Sequence, residues 1–255
     1  MWERLVKYSL VRKFVHAVVG AVFYPRLAIF NKLTFEGTEH FKHLPKKNVL
    51  FVSNHQTYFV DVITFLSIFS AAKWGKKNRL GIPFYLLNPF TNVRYIAAAQ
   101  TMKDSWVARF FRLAGGVVVK RTWNDKSNEV RKGLDPSDTR KIARALEQNW
   151  VITFPQGTTT PYAPGRKGTA VIIRYTQPVV IPVVIEGFST AFDKTGLKTK
   201  KRGTALKVTF KAPLDIDYKM PADKIMEQIM EAIEQSSAYA DKQGTATSAV
   251  TQTIE

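Results

Sequence analysis

His55 is the residue best suited to chemistry in this chain, and Asp61 follows it closely. An imidazole titrates near neutral pH, so it can take a proton from an attacking group and return it. A carboxylate beside it can hold its tautomer and stabilise the imidazolium. Both residues fall where an apolar run, Val49 to Val52, breaks at Ser53-Asn54 and a helical pattern opens near Tyr58. In α/β sheets ligands bind at such places, beyond the carboxyl ends of strands. A helix-start Asp and a hydrogen-bonded loop His would give the same pattern, so the pair alone defines no site.

A second stretch is built the same way. Val151-Ile152-Thr153-Phe154 reads as a strand and Pro155-Gln156-Gly157-Thr158-Thr159-Thr160-Pro161 as a polar turn. Together the two stretches resemble the glycerolipid acyltransferase family (lysophosphatidic acid acyltransferase type). That family carries N-H-x-x-x-x-D in its first motif and F-P-E-G-T-R-S in its third. Gly116-Val117-Val118-Val119-Lys120-Arg121 is similar to the second motif, and Val180-Ile181-Pro182-Val183-Val184-Ile185 to the fourth. The resemblance implies transfer of a fatty acyl group from an acyl-CoA or acyl-carrier-protein thioester to a lysolipid hydroxyl. It implies His55 as base with Asp61 as its partner, and substrate contacts from Lys120, Arg121, Gln156, Gly157, Thr158 and Thr159. It implies no metal and no cofactor beyond the acyl donor.

The chain departs from the family pattern in two ways. Its spacing is H-x5-D, and on a continuous helix residues i and i+6 point apart. Either His55 lies in the loop with an extra residue bulged before the helix, or Asp61 is not its partner. Gln156 stands where the family has Glu, and Thr159 where it has Arg. The resemblance ties those positions to the acceptor's glycerol phosphate. The expected acceptor therefore lacks a phosphate monoester, as an N-acylated amino-acid lipid does. In the alternative, Lys120, Arg121 or Arg166 supplies the charge and lysophosphatidic acid is used. A further alternative is a non-catalytic anionic-lipid-binding protein on the same fold.

Charge and composition narrow the partners. The formal net charge is +18, with 38 Lys and Arg against 20 Asp and Glu. The excess is confined to residues 1–211, because 212–255 hold 3 basic and 8 acidic residues. A basic body attracts polyanions, and an anionic membrane surface or nucleic acid are the obvious ones. No RNA-binding aromatic signature, helix-turn-helix pattern or zinc spacing is present, so nucleic acid is not expected. Cysteine is absent, which removes disulfides and thiol nucleophiles. His40 and His43 could share a helical face but have no third ligand for a metal.

The elements that must position the site follow in order. Residues 2–23 read as a helix, basic in its first half and apolar from Phe14 to Tyr24. Its clean apolar run is shorter than the roughly 20 residues that span a bilayer. It fits an interfacial anchor or a core-packing helix, and both can hold at once. A strand is expected at 32–37, a polar hinge at 40–47, and a strongly apolar helix over 58–72. Basic and Pro-punctuated aromatic loops, from Trp74 to Phe90, suit a membrane interface. Strands are expected at 93–98, 117–119, 150–154, 179–186 and 205–211. Asp104 would cap a helix to Leu113, and Ser137 or Asp138 one to Gln148. A helix is expected near 169–175, an irregular Lys-rich region at 188–202 and an amphipathic helix at 223–235.

The expected architecture is α/β: a mostly parallel sheet wrapped by helices, preceded by an N-terminal helical membrane anchor. Residues 1–31 would form the membrane-associating segment, 32–243 the acyltransferase domain and 244–255 a disordered tail. The protein would sit on the cytoplasmic face of the membrane, peripheral or monotopic.

Overall fold

The runs Val49–Ser53, Trp150–Thr153 and Val179–Glu186 are apolar almost without interruption, as strands covered on both faces must be. In the computed structural model they lie at the middle of a sheet with seven strands among the described residues. The structure describes residues 2–99, 113–119 and 135–241, with side chains from Ser9 onward. The strand order is β1 (Lys32–Glu36), β7 (Ala205–Phe210), β6 (Val179–Glu186), β2 (Val49–Ser53), β5 (Trp150–Thr153), β3 (Val93–Ala98) and β4 (Gly116–Val119). From β6 to β4 all neighbours are parallel. β7 is antiparallel to β6 and β1 is parallel to β7, so these two run against the rest. The sheet is therefore mostly parallel, as expected.

Alternate strand residues face opposite sides. Val49 and Phe51 join one core with helices α1 (Trp2–Tyr24) and α2 (Val60–Lys73). Leu50 and Val52 join the other, against α3 (Pro136–Leu146), α4 (Lys167–Thr176) and α6 (Ala222–Ala232). α5 (Phe188–Ala191) is a short helix after β6. The α2 side is rich in rings: Phe51, Phe69 and Trp150 meet at centroid distances of 4.8 to 5.6 Å.

Helix α1 is two-sided. Val15, Val19 and Phe23 are buried, whereas Leu10, Phe14, Val18 and Val22 are exposed at four-residue intervals. Its inner face packs on α2 and on the 3-10 turn Pro83–Leu87. The N-terminal segment is thus part of the core as well as an apolar surface. Among the described residues no helix is long and apolar enough to cross a membrane.

Several local expectations are corrected. Asp135, not Ser137 or Asp138, caps α3: its carboxylate accepts from Ser137 N at 2.8 Å, and Pro136 occupies the first turn. Asp138 is instead buried and paired with Lys141 at 2.7 Å. The polar hinge contains a 3-10 helix, Thr38–His43, whose Phe41 packs against Phe69 and Trp150. The region 188–202 is ordered by α5 and a bridge between Phe192 and Thr199. The helix expected after Asp104, Lys120, Arg121 and the 244–255 tail lie outside the described residues.

Candidate active site

β2 and β5 are parallel neighbours, with Val52 opposite Thr153. Their following turns therefore leave the same edge of the sheet side by side. The β2 turn runs from Asn54 to Phe59, and α2 starts at Val60, so His55 lies in the loop and Asp61 in the first helical turn. The extra residue of the H-x5-D spacing is absorbed in that loop. His55 Nδ1 stands 2.9 Å from Asp61 Oδ2. Of the two geometries the spacing allowed, this is the bulged one.

Asp61 does more than orient the imidazole. The residue is fully buried. Oδ2 also accepts from Gln56 N at 2.7 Å and Thr57 N at 3.0 Å, and Oδ1 accepts from Thr57 Oγ1 at 2.6 Å. One carboxyl group thus gathers the whole turn around the start of α2. With Nδ1–H donated to Asp61, the neutral ring keeps its lone pair on Nε2. No described residue bonds to Nε2. The ring is steadied on its face by Phe154, stacked at 3.9 Å and 19°.

Two side chains beside His55 tie this turn to β6. Asn54 donates to Ile185 O at 2.9 Å and accepts from Ile185 N at 2.8 Å. Gln56 donates to Ile185 O and accepts from Phe188 N and Ser189 N. The loop after α5 closes over the other side, as Tyr58 N donates to Lys194 O and Phe59 N to Thr195 O, both at 3.0 Å. These groups supply acceptors to N–H groups that open the helix. Gly196 makes the close approach possible. Its φ is +80°, and a Cβ there would stand 2.8 Å from Val60 N and 3.0 Å from Thr57 Oγ1.

The sequence reading did not find Asn54, Gln56 or the 193–196 loop as parts of the site. The usable signal was Asp193-Lys194-Thr195-Gly196, a turn sequence whose Asp193 accepts from Lys198 N and Thr195 Oγ1. Lys194 Nζ also lies 5.8 Å from the Tyr58 ring centroid, which brings a cation near His55.

The β5 turn holds the other predicted residues. The side chain of Gln156 is buried and faces inward. Its Nε2 donates to Ala163 O at 2.9 Å and to Gln235 Oε1 at 3.2 Å, so it braces the turn instead of offering its amide to a substrate. Gly157, Thr158 and Thr159 are half-buried, and Thr158 Oγ1 accepts from Thr160 N at 3.2 Å. Arg166 folds back on this turn. Its Nε donates to Gln156 O at 3.1 Å, and a Cβ on Gly157 would stand 2.7 Å from that nitrogen. Gly157 is therefore needed for the guanidinium to lie here. A cation occupies the turn although Thr159 is neutral. Among the described residues no group of His, Asp and Glu is arranged to hold a metal.

In this mostly parallel α/β sheet, a His–Asp pair with the geometry of a general base lies beyond the central strand, beside a Gly-containing turn on the next. The acyltransferase family model matches residues 32–186, more than half of the chain. The protein belongs to this acyltransferase family. Its fold is similar to that of the 1-acyl-sn-glycerophosphate (LPA) acyltransferase PlsC from Thermotoga maritima. The TM-score is 0.55 at 21% identity, over 92% of this chain and 82% of that one. No curated protein sequence matches the chain.

Proposed function

We propose that the protein is a membrane-associated O-acyltransferase that moves a fatty acyl group from an acyl thioester to a lysolipid hydroxyl. The observation that carries this reading is the His55–Asp61 pair, with Nδ1 anchored at 2.9 Å and Nε2 without a described partner. His55 Nε2 takes the acceptor's hydroxyl proton as the oxygen attacks the thioester carbonyl. The tetrahedral intermediate collapses with loss of the thiolate, which receives that proton. An ester and a free thiol result, and no covalent enzyme intermediate is required. Asp61 holds the tautomer and stabilises the imidazolium between the two transfers. The donor is acyl-CoA or acyl-carrier protein, since the basic body suits pantetheine phosphates or an acidic carrier surface.

The place of Arg166 favours a phosphate-bearing acceptor of the lysophosphatidic acid class. Its guanidinium lies against Gly157, and Arg is suited to holding phosphate oxygens. Neutral Thr159 and the inward Gln156 favour a second reading, a lysolipid without a phosphate monoester, such as an N-acylated amino-acid lipid. Parallel assays of lysophosphatidic acid and a lyso-aminolipid, each with CoA and carrier-protein donors, separate them. Preference for lysophosphatidic acid, with its Michaelis constant raised at least about tenfold by Arg166→Ala, supports the first. Preference for the aminolipid, unaffected by Arg166→Ala, overturns it. Absence of acyl transfer to either acceptor from either donor would favour the non-catalytic lipid-binding alternative.

A further inference from the structure

A cavity of about 330 Å³ opens at the end of the sheet opposite His55. Its walls come from the Thr38–His43 helix, the last turn of α2 with the loop beyond it, Phe90 in the loop before β3, and the start of β5. Because α2 leads from the His55 turn to this cavity, its 14 residues separate the two by about 20 Å. The cavity is independent of the acyl-transfer site.

Its chemistry is divided between floor and mouth. The floor is apolar and aromatic: Phe41, Phe69, Phe90 and Trp150 line it. The mouth carries Lys42, Lys73, Lys76 and Lys77 against a single acid, Glu39. None of these lysines pairs with a carboxylate among the described residues, where the ion pairs lie elsewhere. Lysines at the end of α2 complement its dipole, but Lys42 comes from another element and faces the same opening. A volume near 330 Å³ is at the low end of small-molecule sites, which run from about 300 to 1,000 Å³. That size suits one chain and not two. The mouth also adjoins exposed Trp74, whose indole donates to Asn88 O at 3.3 Å on the aromatic loop beside α1. A lipid surface is thus the natural source of the occupant.

We infer that this cavity binds a single-chain anionic amphiphile of the fatty acid class, with its chain on the aromatic floor and its carboxylate among Lys42, Lys73, Lys76 and Lys77. It is a second, non-catalytic lipid site, and it does not depend on the identity of the acyl acceptor. The test is calorimetric titration of the full chain with decanoate below its micellar concentration, and with decanol as the neutral match. Wild type and His55→Ala should each show one saturable site for decanoate and at least tenfold weaker binding of decanol. The triple variant Lys73→Glu, Lys76→Glu, Lys77→Glu should bind decanoate at least tenfold more weakly. Ala72→Phe, which fills the cavity from its wall, should do the same, with circular dichroism confirming each fold. If Ala72→Phe does not fold, the surface triple variant decides alone. Equal affinity for decanol, unchanged binding in the triple variant, or loss of binding in His55→Ala would each overturn the inference, the last by placing the ligand in the catalytic cleft.

Discussion

In the proposed mechanism, removing the imidazole of His55 takes away the base, while the turn around it keeps its backbone bonds to Asp61. His55→Ala should therefore lower acyl transfer by roughly 10²–10⁴-fold, the range of general-base catalysis, with little change in thermal midpoint. A steady-state rate above about a hundredth of wild type would exclude His55 as the base. Asp61→Asn should harm both rate and fold. The fully buried Asp61 accepts four hydrogen bonds, three of them on Oδ2. An amide nitrogen in the place of Oδ2 would face three donors, and in the place of Oδ1 it would find only the Thr57 hydroxyl to accept one of its two N–H groups. A buried unsatisfied donor costs about 1–3 kcal/mol, so the variant should unfold at lower urea as well as turn over more slowly. A silent Asp61→Asn would mean that the carboxylate has no part in the chemistry. The His–Asp pairing itself could not be decided from the string of residues. The six-residue separation fitted a helix poorly, and only the loop path before Val60 makes it productive. Arg166 was legible as a basic turn residue, but not as the cover of Gly157, because that contact depends on a close approach.

At the level of elements, the loop 193–196 should be as sensitive as the motif it clamps. Gly196→Ala would force a side chain into positive φ and against Val60 N. Such strain costs of order 1–3 kcal/mol. The expected result is a lower melting temperature and a reduced turnover number, with circular dichroism still native in shape. Unchanged turnover would show that the clamp is dispensable. Helix α1 carries a second test. His16 is buried between two carbonyls, with Nε2 at 2.8 Å from Ala114 O and Nδ1 at 3.2 Å from Phe90 O. Burial pushes its pKa below the ordinary value, Arg12 and Arg94 push the same way, and the two carbonyls oppose them. The unfolded chain thus binds the proton more readily than the folded one. Stability from this group is present above the unfolded pKa near 6.5 and is lost as pH falls through and below it. Urea midpoints at pH 7.5 and 5.5 should differ more for wild type than for His16→Gln, and equal differences would remove His16 as the cause. The strands and main helices were legible because period and apolar runs mark them directly. The α3 cap was misplaced because Asp135, Ser137 and Asp138 are all good caps, and only Pro136 at the first turn selects Asp135. The 188–202 region looked irregular because its order comes from the short α5, the Phe192–Thr199 bridge and bonds to the Tyr58-Phe59 turn, which no local period records.

Over the whole molecule, charge and exposed apolar surface point the same way. The chain carries a formal +18, and the outer face of α1 presents Leu10, Phe14, Val18 and Val22 to solvent. The 3-10 turn packed against α1 adds Phe84 and Leu87, the latter 81% exposed. Contiguous apolar surface of this kind marks an interaction site, and a basic body beside it suits anionic lipid headgroups. Two contributions to membrane binding should then separate. The electrostatic one is screened by salt, because the Debye length falls to about 3 Å at 1 M. The apolar one survives salt and is carried by side chains worth roughly 1.5–3 kcal/mol each when fully buried. Deleting residues 1–30 would not isolate it, since Val15, Val19 and Phe23 belong to the core and their loss would uncover α2. Surface substitution is the cleaner test. Phe14→Ser, Val22→Ser and Leu87→Ser together should weaken partitioning to both neutral and anionic vesicles by at least about tenfold, leaving the melting temperature near wild type. High salt should weaken only the additional affinity for anionic vesicles. Wild-type sedimentation of the triple variant with vesicles would place the docking face elsewhere on the molecule.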